Sequence, residues 1–103
     1  NYGFLVDNAT GEVLRMAPLF DHNMACLPMM MEHDDLGSYL STLGPKIGSD
    51  FASIARSLMT PAIRAKLVDL RDFEYSDPGF GYPAWKLDAC NRLKDRMLAD
   101  LLA

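Results

Sequence analysis

The stretch "NYGFLVDNATGEVLRMAPLFDH", residues 1–22, holds two short apolar runs separated by turn residues. Tyr2, Phe4 and Val6 alternate with Gly3 and Leu5, Asp7 to Gly11 supplies turn chemistry, and Glu12 to Met16 resumes a strand-like pattern. This is the pattern of a β-hairpin, with Gly11 the residue expected at positive φ. Both runs are apolar at nearly every position, so we expect other elements to cover the hairpin on both faces. A hairpin folds its ends together, which makes the amide of Asn1 and the carboxylate of Asp21 a candidate ligand pair. Converging hard oxygen donors suit Mg²⁺, which takes one or two carboxylates with waters and substrate phosphates.

Downstream the periodicity fails from Ala17 to Glu32, where Pro18 and Pro28 break regular structure and Met29, Met30 and Met31 form an apolar run without a face. We expect a loop lining something here, with the Met run as core filler rather than a recognition surface. A helix is expected to begin near Asp34 or Asp35, carry Leu36, Tyr39, Leu40 and Leu43 on one stripe, and end at Gly44-Pro45. Ser49 is the expected N-cap of a second helix, with Phe51, Ile54, Ala55 and Leu58 inward. Thr60-Pro61 starts a third, with Ile63, Leu67 and Leu70 inward. Residues 74–82 are turn-rich and aromatic, and Pro83 opens a last helix. That helix has a stripe of Cys90, Leu93, Met97 and Leu101, and pairs Asp88 with Arg92 on its other side. Trp85, Phe80 and Tyr82 are expected to anchor it to the core; a peptide groove is the alternative.

The expected fold class is therefore α+β and mostly helical, one short β-hairpin followed by about four helices. We expect a single partial domain over residues 1–103: a hairpin over 1–21, a loop over 22–33 and a helical part over 34–103. The chain has no initiating Met and begins directly with an apolar run. Domain boundaries fall in polar linkers, so the expectation is a cut through a larger protein whose exposed face favours self-association.

Composition narrows the function classes. A chain of 103 residues is expected to bury roughly two-thirds of its unfolded surface. The net charge of -4, with scattered basic residues, argues against direct nucleic-acid binding, which needs clustered Lys and Arg. No stretch approaches the roughly 18 to 20 apolar residues of a membrane span. Without an apolar export signal the expected location is cytoplasmic, with Cys26 and Cys90 as reduced, buried thiols.

The residues Asn-Tyr-Gly-Phe-Leu-Val-Asp followed by Met-Ala-Pro-Leu-Phe-Asp resemble the HipA-like serine/threonine kinases, toxins of bacterial toxin–antitoxin pairs and their relatives. In that family a segment Asp-x-His-x-x-x-Asn, an apolar strand, a polar turn, a second strand and Ala-Pro-Leu-Tyr-Asp runs through the active site. The resemblance is strong over residues 1–21 and extends plausibly over the helices. It implies part of the C-terminal lobe of a protein-kinase-like fold, with Asn1 as the catalytic-loop Asn and Asp21 as the metal-binding Asp. The catalytic Asp would lie about five residues before Asn1, so no catalytic residue is expected within this chain. The glycine-rich loop and the ATP-binding Lys are likewise outside it.

The parent would use Mg²⁺ and ATP, transfer the γ-phosphoryl group to a protein Ser or Thr hydroxyl, and engage an antitoxin or targets such as aminoacyl-tRNA synthetases. The fragment alone is expected to be inactive and to hold no cofactor tightly. His22 stands where Leu or Asn is expected, and the turn is slightly longer than the family pattern, which leaves subfamily and substrate open. Asp21-His22 also keeps a lipid-kinase-like phosphotransferase open, and a non-enzymatic helical interaction module is the competing class. His22 and His33 with Glu32, Asp34 and Asp35 offer imidazole and carboxylate ligands for a transition metal, but at no recognised spacing. The acidic group reads more simply as a solvated helix N-terminus. Asn8-Ala9-Thr10 matches the glycosylation pattern and reads as turn chemistry.

Overall fold

The structure, a computed structural model, describes residues 2–20 and 26–103. Its elements are β1 (Phe4–Val6), β2 (Val13–Met16), α1 (Leu36–Ser41), α2 (Phe51–Ser57), α3 (Pro61–Asp69) and α4 (Ala84–Leu102). The fold is α+β and mostly helical, 42% of it helix.

Asp7 shapes the hairpin turn. Its Oδ1 accepts from the N–H groups of Ala9 at 2.8 Å and Thr10 at 2.9 Å, the side-chain turn that short polar residues make. Gly11 follows at φ 74°, as expected. The strands pair antiparallel with Phe4 opposite Met16, Leu5 opposite Arg15 and Val6 opposite Val13, so a bulge leaves Leu14 without a partner. The ladder extends to the Ala17 N–H, which donates to the Gly3 carbonyl at 2.8 Å.

Every residue of both strands is exposed. The expected cover on the two faces is not found among the described residues. Apolar residues at every strand position state that both faces suit burial; they do not supply the element that would lie on them.

The helical part is organised by α4. Along one stripe Trp85, Ala89 and Leu93 meet Leu27 and Met30 of the preceding loop and Leu36, Tyr39 and Leu40 of α1, forming the core cluster. Leu27, Met30 and Leu36 are each buried, contributing roughly 1.5–3 kcal/mol apiece. The Met run thus splits: Met30 fills the core, whereas Met29 and Met31 are exposed.

A second stripe of α4 is polar. Lys86, Cys90 and Lys94, four residues apart, donate to backbone carbonyls of neighbouring loops. Lys86 Nζ donates to the Leu27 and Met30 carbonyls, Cys90 Sγ to the Cys26 carbonyl, and Lys94 Nζ to those of Arg71 and Phe73. Beside them Asn91 brackets Tyr75, accepting from its N–H at 2.7 Å and donating to its carbonyl at 3.2 Å. Irregular segments carry backbone groups that no helix or ladder satisfies, and these side chains satisfy them.

The C-terminal half of α4 packs against α2 and α3, each of which sends an arginine to its last carbonyls. Arg56 donates to the Asp100 carbonyl at 3.2 Å, and Arg64 to those of Leu101 at 3.4 Å and Leu102 at 2.6 Å. Cations are favoured at the negative end of a helix.

The short helices start where capping chemistry allows. Asp35 caps α1 and Thr60 caps α3, with Pro61 in its first turn. The cap of α2 is Asp50 and not the expected Ser49. A carboxylate at 50 takes the Ser53 N–H on one oxygen and the Ser53 hydroxyl on the other, and Ser49 merely donates to it. α1 stops at Ser41, short of Gly44-Pro45, because the Thr42 and Ser41 hydroxyls bond back to the carbonyls of Tyr39 and Ser38. Of the expected inward face of α2, Ile54 and Ala55 are half-buried, but Phe51 and Leu58 are exposed.

The molecule exposes 8161 Å², against roughly 5,800 Å² for a compact folded monomer of this mass. It buries only about half of the surface of its unfolded form, below the expected two-thirds. Its radius of gyration, 16.6 Å, likewise exceeds the roughly 13 Å of a compact domain of this length.

Candidate functional site

Three regions carry the residues singled out by sequence. The first is the open end of the hairpin, opposite its turn. Asn1, Asp21 and His22 lie outside the described residues. The described chain leading to them converges. The Gly3 carbonyl accepts from Ala17, and a Cβ built on Gly3 would stand 3.8 Å from the Phe20 ring and 3.9 Å from the Ala17 Cβ. Residues 3 and 20 are therefore neighbours across the hairpin.

The second is the acidic group before α1. Asp35 Oδ1 accepts from the Ser38 N–H at 2.8 Å and the Ser38 hydroxyl at 3.0 Å, and these bonds hold its carboxyl below the ordinary 3.8, the backbone N–H contributing most. Asp34 Oδ2 accepts from the Met31 N–H at 2.7 Å and closes the turn before the helix. Both carboxylates act on backbone, as the helix-terminus reading has it. Among the described residues no three His, Cys, Asp or Glu side chains gather as a metal site.

The third was not foreseen as a site. A cavity of about 420 Å³ lies between the loop at 26–28, the segment at 75–82 and α4, lined by Cys26, Tyr75, Tyr82, Lys86 and Cys90 among others. Cys90 is 7% exposed, as expected, but Cys26 is exposed, against expectation. Cys26 and Leu27 adopt left-handed conformations, φ 57° and 62°, uncommon for residues with a Cβ. This turn sends Leu27 into the core while the Cys26 carbonyl accepts from Cys90 Sγ at 3.6 Å.

The Cys26 thiol donates to the Tyr75 hydroxyl at 3.6 Å. This contact, and burial after it, hold the Tyr75 proton above the ordinary 10.0. Burial pushes the Cys90 thiol up; the neighbouring Cys26 adds to this and the Lys86 ammonium opposes it. The arrangement is a thiol pair beside a phenol and a cation.

Of the three aromatics expected to anchor α4, only Trp85 does so. Phe80 is 83% exposed and Tyr82 is exposed, because Asp77 gathers the N–H groups of Gly79, Phe80 and Gly81 into a turn standing off the helix. On the other side of the 26–29 loop, an apolar groove of about 630 Å³ runs among Leu27, Met29, Tyr39, Leu43, Phe51 and Met97. Part of the signal for the unforeseen cavity was present in the sequence: Lys86 stands four residues before Cys90, which was expected on the apolar stripe, and both line the cavity, away from the exposed Asp88–Arg92 pair, 3.8 Å apart. No family model matches the chain, and no curated protein or solved structure matches it significantly.

Proposed function

We propose that this chain belongs to a cytoplasmic HipA-like kinase and carries the metal-binding hairpin and adjoining helices of its C-terminal lobe. The parent transfers the γ-phosphoryl group of ATP to a protein Ser or Thr hydroxyl. The observation that carries the reading is the convergence of the hairpin's open end: Ala17 bonds to Gly3 and the Phe20 ring lies against Gly3, so the described residues that lead to Asn1 and Asp21 stay close together. An amide oxygen and a carboxylate are a donor set that fits Mg²⁺. The ion would neutralise charge on the phosphates. The part of this chain would be to supply those two oxygens from either side of a turn-locked hairpin.

The test has two steps. The coding sequence before Asn1 should read Asp-x-His-x-x-x or close to it, and the protein that includes it should transfer phosphate from Mg-ATP to a protein hydroxyl. Asp21→Ala should abolish transfer while the helical circular dichroism is unchanged. An unrelated upstream sequence, or transfer indifferent to Asp21→Ala, sinks the reading.

One observation favours a second reading, a non-enzymatic interaction module. The exposed surface exceeds that of a compact monomer by roughly 2,400 Å², and Phe4, Val6, Leu14 and Met16 on the hairpin contribute to it. A module of this kind associates, with itself or with another chain, in a manner unaffected by Asp21→Ala and independent of Mg-ATP. Sedimentation of wild type and variant distinguishes the two readings.

A further inference from the structure

Cys26 and Cys90 are 64 positions apart, and folding places them on one cavity. Cys90 Sγ lies 3.6 Å from the Cys26 carbonyl, Cys26 Sγ lies 3.6 Å from the Tyr75 hydroxyl, and both cysteines line the same cavity. Their environments differ in the way that a stepwise redox reaction needs. Cys26 is exposed and Cys90 is buried. Exposed thiols react first, and a buried neighbour serves as the resolving thiol. Two thiols alone do not make a four-ligand zinc site, and no third His, Cys, Asp or Glu joins them among the described residues.

We propose that Cys26 and Cys90 form a redox-active dithiol, a site of oxidative modification at which a hydroperoxide converts the pair into an intramolecular disulfide. In the first step the Cys26 thiolate attacks the peroxide, the O–O bond breaks, and Cys26 becomes a sulfenic acid as the departing hydroxide takes up a proton to leave as water. In the second, Cys90 sulfur attacks Cys26 sulfur, the S–O bond breaks, and the Cys90 proton leaves with the hydroxyl as a second water. Two thiols and one hydrogen peroxide thus yield one disulfide and two waters, with two electrons passing from sulfur to the peroxide. The 3.6 Å contact between the Cys26 sulfur and the Tyr75 hydroxyl holds Cys26 on the cavity. The product ties the 26–30 loop covalently to α4, where Lys86 and Cys90 already hold it by its carbonyls. A small-molecule thiol reverses the bond by exchange.

The experiment uses the purified, fully reduced protein and equimolar hydrogen peroxide, followed by quenching with N-ethylmaleimide, intact mass spectrometry and peptide mapping. Expected are loss of both alkylation sites together, a mass lower by about 2 Da than the reduced chain, and a Cys26–Cys90 cross-link within a single chain. In denaturing urea closure should slow by at least about tenfold, because folding no longer supplies the local concentration. Cys90→Ser should leave Cys26 as a sulfenic acid that dimedone labels. Cys26→Ser, at an exposed position, should leave Cys90 unreacted with unchanged circular dichroism. The proposal is overturned if the wild-type protein keeps both thiols or oxidises Cys26 to sulfinic acid with Cys90 free. Links formed between chains, or closure as fast in urea as in buffer, overturn it equally.

Discussion

Arg64 of α3 donates from Nη2 to the Leu102 carbonyl at 2.6 Å. This bond joins the C-terminal turn of the longest helix to a helix that buries little of its own surface, Leu67 being its one half-buried residue. Charged donors to carbonyls are worth more than neutral ones, and a cation is favoured at a helix C-terminus. Arg64→Gln should therefore cost about 1–2 kcal/mol, read as a lower urea midpoint, and should speed amide exchange in the last turn of α4. Exchange unchanged in that turn would mean that Arg56 alone suffices.

Lys86 is the second point of attachment. It donates to the carbonyls of two buried residues, Leu27 and Met30, and its Nζ lies 5.3 Å from the Trp85 ring centroid. Lys86→Met keeps the side-chain volume but removes the side-chain donor from both carbonyls, leaving Leu27's with the Met30 N–H alone, at a cost of about 1–3 kcal/mol. Trp85 is the chain's single tryptophan, so its emission should move to the red as the loop loosens. An unshifted spectrum with unchanged stability would show that the apolar contacts of Leu27 hold the loop unaided.

Gly48 stands at φ 90°, and a Cβ there would come within 2.9 Å of Ile54 Cδ1. That atom is the end of a flexible side chain and can move aside, so the backbone conformation decides. Gly48→Ala should cost about 1–2 kcal/mol, and Ile54→Ala in the same chain should restore little of it. Substantial rescue by the double variant, measured as a coupling energy from urea unfolding, would assign the cost to crowding instead.

Acid should loosen two helix caps and two turns. Backbone N–H groups lower the carboxyls of Asp7, Asp35, Asp50 and Asp77 below 3.8, the largest contributions coming from Thr10, Ser38, Ser53 and Phe80 respectively. A carboxyl lowered on folding stabilises the fold above its unfolded value, and the contribution disappears as pH falls through the folded value. Helicity should hold from neutral pH down to about 4 and fall below it. The Asp35→Asn and Asp50→Asn double variant should flatten that acid limb; a limb centred above about pH 5 would point to other groups.

The sequence by itself determined the local elements. Turn residues between two apolar runs specified the hairpin, including Gly11 at positive φ. Thr60-Pro61 placed a helix start, and four-residue spacing placed the Asp88–Arg92 pair. Each of these depends on groups a few residues apart, and backbone geometry alone decides them. Asp50 displaced Ser49 as a cap because two adjacent residues competed for one N–H and the carboxylate had two acceptors to offer. Tertiary structure decided what lay across the chain: that the hairpin faces stay open, that Met30 alone of the Met run enters the core, and that Phe80 stands away from α4. It also decided which carbonyls Lys86, Lys94 and Asn91 satisfy, and that Cys26 meets Cys90. Periodicity records which side of an element suits burial or hydrogen bonding, whereas the partner is chosen by loops whose path depends on contacts distant in sequence.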